Sequence, residues 1–271
     1  MHSNFFIFRQ RLLTLAAIIT SIYFYGEYAN CDDGIQKIQK RGEIRLALES
    51  MFTGENLLSW RDGKSGEYRG LEIDLAKLIA KELGLRLTFV PTKWDRIREA
   101  VASGRADIGL QQLFIPTSPV ESELWSVPYM TVGLAKVTKA GSSFQGTGFA
   151  KSEVVAVLND DPVIKYLAER GVKTPRVFDS EARMIECVKA GICNSAVSDR
   201  PLLLARVKNS TGPLSISGQD LAGSEGRYGV LLNRDQHGLK KSVDRAIEKW
   251  RSSESIQAQA IKYGIKKNSF Q

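Results

Sequence analysis

The residues of this 271-residue chain that could carry out covalent chemistry are few. Outside the first 31 residues there is a single histidine, His237, so no Ser/His/Asp or Cys/His set can be assembled for nucleophilic catalysis. No group of ligands stands at zinc spacing, and we expect neither a metal nor another cofactor. The adjacent acids Asp160 and Asp161 precede Pro162, and acids at a helix start are more often caps than acid–base pairs. The sequence therefore favours a binding protein over an enzyme.

Basic residues outnumber acidic ones, which gives a formal net charge of +8 and a pI near 9.3. They are interleaved with Glu and Asp, as in the segments KKSVDRAIEKWR and LAKLIAKELGLR. No basic run is interleaved with aromatic residues, as binding to single-stranded nucleic acid would require. We therefore interpret the excess charge as solvated surface and expect no nucleic-acid partner.

The N-terminal segment has the pattern of an export signal. Arg9 and Arg11 precede a mostly apolar stretch from Leu12 to Tyr25, which is the order of the n-region and h-region of a signal peptide. The stretch is shorter than the ~20 apolar residues that a spanning helix needs. We expect residues 1–31 to be a signal peptide or an N-terminal anchor, with the rest of the chain in the periplasm. The segment GEYANC shows no clear cleavage site.

Two cysteines, Cys187 and Cys193, are six residues apart, one near the end of a predicted helix and the other entering a predicted strand. An exported protein can form disulfides, and these two cysteines can pair if the turn brings their Cα atoms within ~7 Å. Two small buried apolar side chains are an equally good interpretation. The sequence leaves both alternatives open.

From about Gly42 onwards, strand and helix signals alternate. The segment GEIRLALES places Ile44, Leu46 and Leu48 on one face, as in a strand. The segment GLEIDLAKLIAKELG repeats apolar residues at helical spacing and ends at Gly84. A strand (LRLTFVP), a helix (TKWDRIREAVASG) and a strand (ADIGLQQ) follow. This alternation predicts an α/β fold with a parallel sheet and helices on its faces.

A second unit repeats the same order, in the segments EVVAVLN, DPVIKYLAERG, PRVFD, SEARMIECVKAG and NSAVSD. Residues 99–108 match residues 186–195, with glutamate, valine and glycine at the same offsets and Asp107 opposite Asn194. In both segments an amphipathic helix ends at a glycine and leads into a buried strand. The repeat predicts two lobes of similar topology.

The connections between the two units predict a hinge. We expect the chain to cross to the second lobe near residue 134 and to return near residue 228, at the segment RYGVLLNRD, which is predicted to be a strand. Residues 32–133 and 229–271 would then form lobe 1, with residues 134–228 as lobe 2. The helices LKKSVDRAIEKWRSS and SIQAQAIKYG close the chain. Two lobes joined by two crossing segments enclose a cleft.

Several motifs of the chain occur together in one known family. They are Gly70, Asp74, Leu75 and Ala76 in a Gly-x-x-x-Asp-Leu-Ala run, Gly104 and Asp107 in a Gly-x-x-Asp turn, and Ser126, Pro128 and Tyr129 in Ser-x-Pro-Tyr. With these motifs the chain, from about Ile35 to Gly264, resembles the bacterial extracellular solute-binding proteins of family 3, the class that serves polar-amino-acid ABC importers. The resemblance implies a two-lobed periplasmic-binding-protein fold of type II and an importer permease in the inner membrane as partner.

The resemblance also implies site residues. Phe52 stands where members commonly stack an aromatic ring on the ligand, and Glu49 where members that bind cationic side chains often place an acid. Asp199 occupies the position whose carboxylate usually receives the ligand ammonium, in a charge-assisted bond. The alternative for Asp199 is a cap of the following helix, since Pro201 suits a first helical turn.

The chain departs from the family at the carboxylate-binding positions. Members that bind amino acids carry an arginine whose guanidinium binds the α-carboxylate through two hydrogen bonds. In this chain, Pro119 falls at that position. Gln112 and Phe114 replace small hydroxyl residues. A helix N-terminus that usually reads Gly-Thr-Thr begins here with Asp160 and Asp161, which repel an anionic group.

These departures predict a cleft that favours a cationic or neutral polar solute over an ordinary α-amino acid. Three acids, Glu49, Asp161 and Asp199, are expected to face it, and an unpaired buried carboxylate would be costly. A competing explanation is that a guanidinium restores the carboxylate grip, with Arg96, Arg98 or Arg200 as the source. Arg200 adjoins Asp199 and is the first choice among the three.

We therefore expect a monomeric solute-binding protein that captures an amino-acid-like molecule or an amine by hinge closure and delivers it to an ABC importer. A second class is a receptor that senses a ligand or a partner without transport. A third class is an enzyme like the dehydratases of cyclic carboxylates that share this fold, but those enzymes also need cationic groups for carboxylates.

Overall fold

The computed structural model describes residues 33–49, 58–159, 161–208, 210–262, 265 and 267–270. The expected signal peptide or anchor, residues 1–31, and Phe52 lie outside this part of the chain. Within it, no helix is both long and apolar enough to cross a membrane.

The first sheet has five strands in the order β4-β1-β5-β14-β6. Their bounds are Glu43–Leu48 (β1), Arg86–Pro91 (β4), Ile108–Gly109 (β5), Glu123–Trp125 (β6) and Leu231–Asn233 (β14). Strand β1 runs parallel to β4 and β5, whereas β14 pairs antiparallel with β5 and β6. The strand that alternation predicted at Ile44 forms because Ile44, Leu46 and Leu48 are all buried.

The second sheet also has five strands, in the order β10-β9-β11-β8-β12. Their bounds are Leu134–Lys139 (β8), Val155–Leu158 (β9), Arg176–Phe178 (β10), Ser195–Asp199 (β11) and Leu214–Ile216 (β12). Strands β10, β9 and β11 are parallel, and β8 pairs antiparallel with β11 and β12. Each sheet has its own buried apolar cluster, so the predicted α/β fold with two sheets is confirmed.

The predicted helices are present in the predicted order, and an additional helix precedes them at Asp33–Arg41. In chain order, the helices are Asp33–Arg41 (α1), Leu71–Glu82 (α2), Ile97–Ala102 (α3), Asp161–Glu169 (α4), Glu181–Lys189 (α5), Arg200–Lys208 (α6), His237–Arg251 (α7) and Glu254–Lys262 (α8), with short 3-10 turns at Trp94–Arg96 and Lys267–Phe270. A small hairpin pairs Trp60–Arg61 (β2) with Tyr68–Arg69 (β3).

The repeat in the sequence corresponds to two equivalent turns. Gly104 after α3 and Gly191 after α5 have φ values of 72° and 74°, a conformation that glycine adopts without a steric cost. Asp107 then accepts a hydrogen bond from the Arg45 backbone N–H at 2.8 Å, and Asn194 accepts one from the Val154 backbone N–H at 2.7 Å. In each lobe the repeated polar residue therefore fastens a new strand to its neighbour.

Two short strands connect the sheets. Met130–Val132 (β7) pairs antiparallel with Gly226–Tyr228 (β13), and β8 begins at Leu134 directly after β7. The segment RYGVLLNRD, predicted as one strand, is instead divided into β13 and β14, so that prediction was wrong. The two strands belong to different sheets, and Gly229 lies between them at a close approach, where a Cβ would lie 2.6 Å from Ile115 Cγ1. Lobe boundaries at 133/134 and 228/229 remain a proposal, which the strand membership of the two sheets supports.

Candidate functional site

A cleft of about 1460 Å³ lies where the parallel strands of both sheets end. From the first sheet, its lining includes Glu49, Lys93, Trp94, Asp95 and Gln112. From the second sheet, it includes Asn159, Phe178, Glu181, Ser198, Asp199 and Arg206. Except for Arg206 in α6, these residues follow β1, β4, β5, β9, β10 and β11 or lie at their ends. Ligands of open α/β sheets bind outside the carboxyl ends of the strands. The cleft is therefore the candidate ligand site.

Asp199 ends β11 at the wall of this cleft and is only 6% exposed. Its Oδ2 atom accepts a hydrogen bond from the hydroxyl of Tyr228, a residue of the crossing strand β13. Burial and the nearby Asp199 charge raise the pKa of Tyr228 well above its usual value, so the hydroxyl remains protonated and donates. This arrangement links the predicted ammonium acceptor directly to the connection between the lobes.

A second buried acid, Glu72 at the start of α2, holds Gln112 in place. The Gln112 backbone N–H donates to Glu72 Oε1 at 2.8 Å and its side-chain Nε2 donates to Oε2 at 2.9 Å. The Tyr129 hydroxyl also donates to Oε1. Burial raises the pKa of Glu72, although these donors oppose that change. Gln112 has a φ of 49°, a strained backbone conformation for a residue other than glycine, and such strain occurs at ligand sites.

Three charged residues form another part of the cleft wall. Arg206 of α6 donates from Nε to Glu181 Oε2 at 2.7 Å, and Glu181 is the first residue of α5. Burial and, to a smaller extent, the charge of Glu49 raise the pKa of Glu181 to about 7, although Arg206 acts in the opposite direction. Burial and the charge of the nearby Asp95 raise the pKa of Glu49, and the charge of Arg206 opposes this increase. Glu49 belongs to the first lobe, so these charges act on one another across the cleft.

Trp94 supplies an aromatic side chain to the cleft. Trp94 is one of the lining residues, packs on an apolar cluster of the first sheet, and donates its indole N–H to the Gln111 carbonyl at 3.1 Å. The Gln111 side chain in turn accepts the Glu49 backbone N–H at 2.5 Å. The predicted stacking residue, Phe52, lies outside the described residues, so Trp94 is the aromatic residue that the structure adds beside Glu49.

The structure brings Glu49, Gln112 and Asp199 to the cleft and places two other predicted residues elsewhere. Phe114 packs on Tyr228 with ring centroids 5.0 Å apart, behind the cleft wall. Arg200 donates from Nε to Asp220 and from Nη1 to the Ser217 carbonyl at 2.9 Å, and it lines a separate cavity of about 20 Å³. The side chain of Asp161 lies outside the described residues, although α4 begins there.

Two of the proposed sources of a guanidinium also lie away from the cleft lining. Arg96 is exposed and paired with Glu99, and Arg98 is paired with Glu123, and neither is among the residues that line the cleft. The arginines that do line it are Arg176, Arg183 and Arg206. Sequence reasoning missed Arg206 because its partner Glu181 is 25 residues away and belongs to another helix.

Cys187 and Cys193 are joined by a disulfide, with their Cα atoms 5.2 Å apart. Both residues are also buried in the apolar cluster of the second sheet. Cys187 is part of the cleft lining, and its Sγ atom lies 3.9 Å from Nη1 of Arg176. The bridge fastens the end of α5 to the turn that leads into β11.

Comparison with known proteins gives one family. The family model described as "Bacterial extracellular solute-binding proteins, family 3" matches residues 56–266. The L-cystine-binding protein TcyJ of Escherichia coli (strain K12) is 25% identical over 237 residues, which are 86% of each chain. A probable amino-acid ABC transporter-binding protein of Haemophilus influenzae is 22% identical over 199 residues, 72% of this chain and 74% of that protein.

A solved structure has the same fold. It is the ancestral amino acid-binding protein AncCDT-1, described as a precursor of cyclohexadienyl dehydratase. The TM-score is 0.72 at 25% identity, and the match covers 84% of this chain and 98% of that one. The two sheets, the crossing strands and the cleft between them therefore form a two-lobed fold of the periplasmic-binding-protein class, type II.

Proposed function

The chain belongs to the bacterial extracellular solute-binding proteins of family 3, and from that premise we propose that Asp199 captures the ammonium group of its solute. The protein is a solute-binding protein of the class that works with amino-acid ABC importers, and its solute is amino-acid-like or an amine. The finer proposal is that it acts as a monomer in the periplasm and delivers this solute to an importer permease.

The observation that carries the proposal is the position of Asp199. Its carboxylate is buried at the carboxyl end of β11, in the cleft wall, and the Tyr228 hydroxyl holds it from one side. An ammonium group that enters the cleft would gain a charge-assisted hydrogen bond in a poorly solvated place, where such a bond is short and strong. Trp94 offers a ring face for a cationic or apolar part of the same solute.

Closure would complete the site. The two lobes are joined through β7 and β13, and the cleft is lined from both. A solute that touches Asp199 on one lobe and Gln112 or Glu49 on the other stabilises the closed form by the contacts that exist only there. We propose that the permease recognises this closed form.

We propose binding without catalysis. The similarity to a precursor of cyclohexadienyl dehydratase makes catalysis the alternative to test. Among the described residues that line the cleft there is no histidine, and the one cysteine is in a disulfide. A receptor that senses its ligand without transport would share the same cleft, and only transport assays separate it from an importer component.

Substitution at Asp199 tests the proposal. Thermal unfolding is first recorded with L-cystine, L-arginine, L-histidine, L-lysine and cadaverine, because a ligand of the native state raises its stability. We expect Asp199→Asn to weaken the best ligand about 10- to 100-fold, since hydrogen bonds to charged groups contribute roughly 1.5–3 kcal/mol.

Asp179→Asn is the matched control, because Asp179 also lines the cleft but is exposed and paired with Arg183. Equal affinity in wild type and Asp199→Asn would overturn the proposal. Conversion of a ligand to a product by the wild-type protein would establish the enzyme alternative.

A further inference from the structure

The side-chain amide of Gln112 is held in one orientation. Its Nε2 atom donates to Ser59 Oγ at 3.1 Å and to Glu72 Oε2 at 2.9 Å. Its backbone N–H donates to Glu72 Oε1 at 2.8 Å. The amide nitrogen has two hydrogens, and both are used inside the first lobe. Because Gln112 lines the cleft, its amide oxygen Oε1 is the polar atom of this side chain that remains for a solute.

Glu72 dictates this orientation. Its carboxylate is buried and also receives the hydroxyl groups of Tyr129 and Ser59. A turn of the Gln112 amide by half a revolution would bring its oxygen against Glu72 Oε2, and two acceptors would face each other without a hydrogen between them. Leaving buried polar groups unsatisfied in this way is costly. Gln112 therefore keeps its amide nitrogen away from the cleft as long as Glu72 accepts from it.

Gln112 and Asp199 flank the same end of the cleft, one from each lobe. The Tyr129 hydroxyl donates to Glu72, which holds Gln112. The Tyr228 hydroxyl donates to Asp199, and the ring centroids of Tyr228 and Tyr129 are 5.9 Å apart. The charges of both acids raise the pKa of both tyrosines. An ammonium group has three N–H donors, which is enough to serve an acceptor on each lobe.

The neighbouring N–H groups of the first lobe are also used inside it. The Glu49 backbone N–H donates to the Gln111 side-chain oxygen at 2.5 Å, and the Trp94 indole N–H donates to the Gln111 carbonyl. Glu49 itself brings a carboxylate to the cleft lining. Lys93 also lines the cleft, but it is exposed, and solvent screens an exposed charge. Next to Gln112, this wall therefore offers acceptors to a solute.

We propose that Gln112 is a specificity-determining residue that accepts an N–H of the solute ammonium through Oε1, and that Glu72 is the positioning residue that fixes this role. The inference rests on the proposed role of Asp199, because the two acceptors would share one ammonium and close the lobes on it. In an amino acid the α-carboxylate is attached to the same carbon as the ammonium. It would lie beside Oε1 and lose water without gaining a donor there. The ligand class is therefore an amine without an α-carboxylate.

The experiment compares two probes that differ by one group. Agmatine is L-arginine without its α-carboxylate, so the ratio of their affinities isolates that group. We expect wild type to bind agmatine at least about tenfold more tightly than L-arginine in calorimetric titrations, because a desolvated carboxylate without a donor is costly. Gln112→Met removes the amide oxygen and should weaken agmatine about tenfold or more. The same substitution on the exposed face of α1, Gln39→Met, is the control.

The variant Glu72→Gln tests the positioning role, because it should reverse the Gln112 amide. Its single oxygen is needed at the position of Oε1, where the Gln112 backbone N–H and the Tyr129 hydroxyl donate. Its nitrogen then replaces Oε2, so the Gln112 amide turns its oxygen inwards and offers Nε2 to the cleft. An α-carboxylate gains a donor and an ammonium loses an acceptor, so the preference for agmatine should fall about tenfold or more. Glu82→Gln, on the exposed side of the same helix, should keep the wild-type preference.

A partly unfolded variant lowers both affinities by the same factor, so their ratio remains informative. A ratio near one in wild type, or a ratio that Glu72→Gln leaves unchanged, would overturn the inference. The proposed function still stands in that case if Asp199→Asn weakens the binding of either probe. If wild type binds neither probe, the inference is overturned as well, and L-cystine binding that depends on Asp199 would uphold the proposed function alone.

Discussion

Two regions of the molecule hold acids in different surroundings, one near the crossing strands and one around Arg206. Near the crossing strands, Glu72 accepts a hydrogen bond from the Tyr129 hydroxyl, and Asp199 accepts one from the Tyr228 hydroxyl. Burial raises the pKa of both tyrosines. Around Arg206, the charge of Glu49 raises the pKa of Glu181, and Arg206 lowers the pKa of both acids.

This difference separates two tasks. Neutral donors fix the acids near the crossing strands over a wide pH range, because a tyrosine hydroxyl does not lose its proton there. Around Arg206, in contrast, the acids depend on the charge of a guanidinium and on each other. The first region therefore keeps its geometry over a wide pH range, whereas the balance of charges in the second region changes with pH.

Of the substitutions considered, Glu72→Ala should lower the free energy of unfolding most, because it removes the acceptor at the centre of the network near the crossing strands. Glu72→Ala leaves the Gln112 N–H groups and the Tyr129 hydroxyl without their acceptor, and each unsatisfied buried donor costs about 1–3 kcal/mol. We expect the free energy of unfolding to fall by about 3–5 kcal/mol in urea denaturation. Glu82→Ala, on the exposed side of the same helix, is the control. A loss below about 1 kcal/mol for Glu72→Ala would show that the network is dispensable.

The pH dependence of stability should distinguish Glu181, the buried partner of Arg206, from the acids near the crossing strands. The pKa of Glu181 in the folded state, about 7, exceeds that of an unfolded glutamate. Its contribution is therefore fully present below pH ~4.5 and is lost as the pH rises through 7. Relative to Glu181→Gln, wild type should lose on the order of 2 kcal/mol between pH 5 and pH 8. A difference between the two proteins that stays constant with pH contradicts the raised pKa, and Glu186→Gln serves as the exposed control.

A smaller loss of unfolding free energy is expected for Tyr228→Phe, at the contact between the crossing strand β13 and Asp199. Tyr228→Phe removes one hydrogen bond to a buried carboxylate and keeps the packing of the ring on Phe114. We expect a loss of about 1–2 kcal/mol of unfolding free energy. Tyr166→Phe, whose hydroxyl donates to the Ala222 carbonyl at 3.0 Å, should cost less because this hydrogen bond is closer to solvent. Equal losses in the two variants would mean that Asp199 is not held by Tyr228.

The sequence predicted the fold better than the site. Strand alternation and the repeated turns at Gly104 and Gly191 identify the two units, because local periodicity follows directly from burial. Burial of Glu72 gave no signal, since an acid in an amphipathic helix is usually exposed. Arg200 was placed in the cleft because it follows Asp199, but neighbouring residues point in different directions, and Asp220 holds Arg200 elsewhere. The position of Arg206 at the cleft depends on its contact with Glu181 of another helix, and sequence spacing does not reveal such a contact.

A crystal structure of the protein with L-lysine or L-cystine bound tests the central claim most directly. The account predicts a ligand ammonium nitrogen at hydrogen-bond distance, about 3 Å, from a carboxylate oxygen of Asp199. It also predicts that residues of both lobes, Gln112 or Glu49 among them, touch the ligand in a narrower cleft. A ligand bound outside the cleft, or inside it without contact to Asp199, would contradict the account.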